Sequence, residues 1–109
     1  MAYRFVRARP LFDQLPELRA RLDEGDIAEM EPFGQAMTKS LTDARYDPDS
    51  GEALWVEEDY CTPPLAMERA VLDQYFTDLT VVEEDVVEAE GWERIEGYPS
   101  LWDEIATEA

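Results

Sequence analysis

The sequence predicts an α+β fold of the ferredoxin-like, split βαβ kind, with an acidic C-terminal extension ending in a short helix. Three observations carry that prediction: a β-rich opening, a leucine stripe at helical spacing directly after it, and a concentrated turn signal at Asp47–Gly51.

Tyr3 to Ala8 reads as the first strand, because Tyr, Phe and Val suit a pleated surface while Arg4 and Arg7 between them favour water. Tyr3/Phe5 and Val6/Ala8 compete for the buried face. After Pro10, leucines at 11, 15, 18 and 22 recur at helical spacing. Pro16 belongs in a first turn and Gly25 stands where a left-handed cap ends a helix, so the regular part runs from about Pro16 to Glu24.

Asp47-Pro48-Asp49-Ser50-Gly51 predicts a hairpin turn, since Pro presets one dihedral, Asp and Ser cap locally and Gly permits a positive φ. The arm after it, Ala53 to Tyr60, is rich in strand formers. The arm before it, Met37 to Tyr46, alternates with Thr38, Ser40 and Thr42 on one side. Phe33, Met37, Leu41 and Ala44 also fit a helical stripe; the clustering of β-branched and turn residues favours a strand here.

Thr62-Pro63-Pro64-Leu65 predicts a helix start with Thr62 as cap, and the helix is expected over Pro63 to Phe76 with a wide apolar face. Leu79 to Glu83 is the fourth strand. From Glu83 to Glu96 the chain is acidic with scattered anchors at Val86, Val87, Trp92 and Ile95, and a last helix begins near Ser100 with Leu101, Trp102 and Ile105 apolar. Residues 1–85 are thus expected to form the core domain, and 86–109 an acidic extension packed on it. Two helices on one sheet face leave the other open, so a second copy of the chain or the Trp-bearing extension is expected to cover it, with a homodimer as the default.

The strongest compositional signal is charge. The 109 residues hold 27 acidic and nine basic groups, a net −18, and 45% are hydrophobic, which predicts a folded globule rather than a disordered chain. The imbalance is uneven, because Arg4, Arg7, Arg9, Arg19 and Arg21 face only Asp13 and Glu17 in the first 22 residues. So much negative charge argues against direct binding of nucleic acid or anionic membranes. Short apolar runs and an arginine-broken N-terminus predict neither export nor a membrane span, hence a cytoplasmic protein. The charge also fits adaptation to a salty cytoplasm, where screening is strong.

With Cys61 the lone cysteine and no histidine, no internal disulfide, no imidazole chemistry and no usual zinc or iron site is expected. Asp47-x-Asp49 with Glu58 imitates the outer spacing of a calcium loop, but Gly51 stands one place early and Pro48 stiffens the start, so a plain turn is preferred. Cys61 follows Glu57-Glu58-Asp59, which oppose its ionisation, and reads first as a small buried residue. Arg4, Arg7 and Arg9 read as neutralising the acidic body before they read as an anion site. No catalytic residue, metal or cofactor is assigned. If a ligand site exists, its candidates are Arg4, Arg7, Glu58, Tyr60, Cys61 and Arg69, and the interaction candidates are Trp55, Trp92 and Trp102.

Missing catalytic motifs and abundant aromatics lead to a non-enzymatic protein-interaction or regulatory module as the first expectation. Two alternatives are a nucleic-acid mimic that inhibits a basic DNA- or RNA-binding protein, and a small ligand-binding domain or enzyme with a pocket near Cys61.

Overall fold

The computed structural model describes residues 3–106, with side chains to Asp103. Its centre is strand β1 (Tyr3–Pro10), which pairs antiparallel with β3 (Glu52–Glu58) on one side and β4 (Phe76–Glu83) on the other. A three-residue β2 (Arg45–Asp47) completes a four-stranded antiparallel sheet of order β2-β3-β1-β4. The fold is a mixed α+β domain, and no helix among the described residues is long and apolar enough to cross a membrane.

Both competing faces of β1 are used. Val6 and Ala8 join Ala53 and Trp55 of β3 in the main core, whereas Phe5 joins Val56, Val86 and Ile95 in a second, smaller cluster. Helix α1 (Leu15–Glu24) buries Leu15, Leu18 and Leu22 in the main core, each such leucine contributing about 1.5–3 kcal/mol by leaving water. Pro16 lies in its first turn, and Gly25, at φ 81°, sends its N–H back to the last carbonyls, as the sequence predicts.

Residues 33–45 correct the sequence reading. Helix α2 (Gly34–Thr42) replaces the expected strand, which shrinks to Arg45–Asp47. The helical stripe wins because it places Met37, Leu41 and the following Ala44 together in the core, whereas a strand would have sent alternate residues to water. Gly34 is required at the start of α2: a Cβ there would stand 2.2 Å from the Ile27 carbonyl oxygen.

The turn at 48–51 forms as expected. The Gly51 N–H donates to the Asp47 carbonyl at 2.8 Å, Gly51 has φ 75°, and the Asp49 N–H donates to Asp47 Oδ1 at 2.9 Å. The helix expected over Pro63–Phe76 is reduced to the single turn α3 (Arg69–Leu72). Leu65 adopts φ 63° and breaks any regular helix before it, and β4 begins already at Phe76, drawing that residue into the core beside Trp55.

Helix α4 (Glu88–Ile95) lies against β3 and covers part of the second sheet face with Val86 and Ile95. Gly91 permits the approach, since a Cβ there would meet Val56 at 2.7 Å. Helix α5 (Leu101–Ala106) returns to the main core through Leu101. The Ile105 side chain and residues 107–109 of the expected extension lie outside the described residues.

Candidate functional site

Along β3 the inward-facing residues are Ala53, Trp55 and Glu57, and Asp59 continues the alternation one step past the strand. Apolar side chains therefore give way to carboxylates on the same buried face. Glu57 is 0% exposed and Asp59 3%. From the other side, Leu65, Glu68, Val71 and Leu72 recur at helical spacing, and Glu68 is as buried as its apolar neighbours. Three acids thus meet in the interior.

Arg4, on β1 opposite Glu57, supplies the cation. Its Nε donates to Asp59 Oδ2 at 3.1 Å, its Nη2 to the Cys61 carbonyl at 3.1 Å, and its Nη1 to the Glu84 carbonyl. Asp59 also accepts the Leu65 N–H at 2.7 Å and the Cys61 N–H at 3.2 Å. Glu57 Oε1 accepts Trp55 Nε1–H at 2.9 Å, while Glu57 Oε2 is buried with no donor. The Cys61 thiol lies 3.9 Å from Glu68 Oε1, and one donor atom each from Asp59, Cys61 and Glu68 fall within 4.8 Å of one another.

One guanidinium cannot balance three carboxylates in a dry site, so protonation becomes favourable. Burial, reinforced by Glu68 and Asp59 and opposed by the Trp55 hydrogen bond, pushes the Glu57 carboxyl up to about 8. Burial and the neighbouring Asp59 push Glu68 up to about 7. Burial alone would raise Asp59 too, but hydrogen bonds from Leu65, Glu68, Cys61 and Arg4 outweigh it and hold Asp59 below its ordinary 3.8. At Cys61, a backbone hydrogen bond from Met67 favours the thiolate, yet desolvation and the carboxylates of Asp59 and Glu68 prevail and raise the thiol. The cluster therefore holds its negative charge on Asp59 and keeps protons on its neighbours.

Above the cluster lies a groove of about 350 Å³ lined by Pro32, Phe33, Ala36, Glu58, Tyr60 and Met67, with Asp59, Cys61 and Glu68 at its floor. Tyr60 is 64% exposed and Met67 44%. Tyr60 donates its hydroxyl to Glu58 at 2.5 Å.

Of the sequence-derived ligand candidates, the structure gathers Arg4, Glu58, Tyr60 and Cys61 here. Arg7 stands on the exposed side of the sheet, 3.8 Å from Glu52, and Arg69 turns to solvent and pairs with Asp73 at 2.9 Å. Arg4, Arg7 and Arg9 do not converge: Arg9 faces Asp78 at 3.6 Å, so each arginine meets its own acid. The tryptophans also separate. Trp55 is fully buried with its ring centroid 5.0 Å from that of Phe76. Trp92 packs half-buried between the two apolar clusters, and Trp102 donates Nε1–H to the Leu41 carbonyl at 2.8 Å beneath the Arg19 guanidinium.

Glu57, Asp59 and Glu68 were not among those candidates, although their phase carries a signal. Each is a carboxylate at a position where strand alternation or a helical stripe calls for an apolar residue. Compared with protein-family models, characterised proteins and solved structures, the chain matches none.

Proposed function

We propose that this protein is a non-enzymatic interaction module that docks a basic partner protein at the groove between residues 32–36 and 58–68. The observation that carries this reading is the coincidence of two exposed large hydrophobics, Tyr60 and Met67, on one groove with Glu58 at its rim. Aromatic and methionine side chains are enriched at interfaces, and an anionic body draws a cationic partner in. Capture from lysate at low and high salt tests it, with Tyr60→Ser/Met67→Ser as control. A basic protein retained by the wild-type chain, released by salt and lost in the variant is expected. Equal retention by both chains refutes the reading.

For the architecture we propose the split βαβ, ferredoxin-like arrangement. The antiparallel order β2-β3-β1-β4 supports it, with α2 inserted ahead of β2 and the second helix shortened to the single turn α3 as the departures. Self-association has less apolar area to use than an open sheet face would offer, because α4 and Val86 occupy part of that face; sedimentation at micromolar concentration decides between monomer and dimer. A nucleic-acid mimic needs its carboxylates displayed in a stripe, and Glu57, Asp59 and Glu68 are withdrawn from display.

A further inference from the structure

We propose that Asp59, Cys61 and Glu68 form a binding site for a divalent cation of the zinc class. A thiol beside two carboxylates is a borderline-soft donor set, which suits Zn²⁺ or Co²⁺ better than Mg²⁺ or Ca²⁺. The spacing is close to what such an ion needs. Bonds of about 2.3 Å to sulfur and about 2.1 Å to oxygen at a tetrahedral centre put S and O roughly 3.6 Å apart, and Cys61 Sγ stands 3.9 Å from Glu68 Oε1. All three donor atoms already lie within 4.8 Å of one another.

Charge balance points the same way. Asp59, ionised Glu68 and a Cys61 thiolate carry three negative charges, which Arg4 and a dication together cancel. Arg4 binds Asp59 at Oδ2, the oxygen that also accepts the Leu65 N–H, while Oδ1 accepts the Cys61 N–H at 3.2 Å.

An independent observation comes from Glu57, fully buried, whose Oε2 has no donor and whose carboxyl interacts with that of Glu68. Set against the Glu68 side chain, Glu57 is the outer partner that orients a metal-ligating carboxylate. Trp55 in turn fixes Glu57 through Oε1. The groove gives the ion an entry path and leaves its fourth position to water or to a partner's side chain. This site goes beyond the docking reading and does not rest on Tyr60 or Met67.

Titration of the chelator-treated full chain with Co²⁺, followed by absorbance and thermal melting, tests it. Saturation near one ion per chain is expected, with a thiolate-to-cobalt charge-transfer band, a rise in melting temperature and competition by Zn²⁺ but not by equal Mg²⁺. Cys61→Ser loses the band and weakens binding by about tenfold or more. If Cys61→Ser fails to fold, the isosteric Glu68→Gln serves instead, with the same weakening expected. Absence of the band in the wild type, equal competition by Mg²⁺, or unchanged affinity in the variant overturns the site and assigns any Co²⁺ uptake to surface carboxylates; the docking result with Tyr60→Ser/Met67→Ser is unaffected by either outcome.

Discussion

The two ends of β3 use the same residue type for opposite purposes. At the hairpin end, Asp47 caps a turn through its side chain and Glu52 faces a half-exposed Arg7 at 3.8 Å, both within reach of water. At the other end, Glu57 and Asp59 turn inward beside Glu68 and a buried Arg4. Solvent screens the first group, so its ion pairs contribute little. In the second, removal from water makes every charge costly unless it is paired, hydrogen-bonded or protonated. An excess of acid in the sequence is therefore two populations, one that solvates the surface and one that builds an interior site.

The sharpest way to break the contrast is Arg4→Met, which leaves Asp59 without its cation while keeping an unbranched apolar stem in place of the arginine's own. A loss of about 3–5 kcal/mol is expected from urea unfolding. Loss of a charge from the Arg7–Glu52 pair at the hairpin end is expected to be nearly silent.

Acidity gives the next effect, measured in chelating buffer so that protons alone act on the cluster. Glu57 and Glu68 have folded-state values of about 8 and about 7, raised above the ordinary 4.5. Their stabilisation is complete below that ordinary value and is lost as pH rises through the folded values. The melting temperature is expected to fall on the order of 10 °C from pH 5 to pH 8.5. Asp59, lowered from 3.8, acts in the opposite sense: its contribution is present above that value and disappears as pH falls through its folded value. A melting temperature flat from pH 5 to 8.5 contradicts the buried-acid account.

Glu57→Gln sharpens the same comparison. The amide oxygen still accepts from Trp55, but the group no longer titrates, so the decline toward pH 8.5 becomes shallower and the variant melts at or above the wild type at pH 8. Glu52→Gln is the smallest change. It removes the acid from a loose 3.8 Å pair with a half-exposed Arg7, and an unfolding free energy within about 0.5 kcal/mol of the wild type is expected by the same urea titration.

Much of the local structure is legible in the residues. The leucine stripe and Gly25 delimit α1, Asp47–Gly51 encodes the turn, and Val6, Ala8, Trp55 and Phe5 divide between two faces as strand alternation demands. The segment 33–45 misleads because its Thr and Ser residues suggest a strand while Met37, Leu41 and Ala44 encode a helix, and only the sheet against which they pack decides between the two. Pro63 to Leu72 misleads for the complementary reason: its composition allows a long helix, but Leu65 in a left-handed conformation ends it. The candidate site was half visible. Cys61, Tyr60 and Glu58 stand out by local sequence, whereas Glu57, Asp59 and Glu68 blend into an acidic background unless their phase is compared with that of Trp55 and Leu65.

By itself the sequence determined the α+β class, the absence of imidazole and the large negative charge, because these follow from residue types and short-range spacing. Tertiary structure alone decided which carboxylates leave water, since burial depends on β1 laying Arg4 beside the end of β3 while residues 65–72 close over it. Contacts between positions as distant as 4, 59 and 84 are set by sheet registry and packing, and no local pattern specifies them.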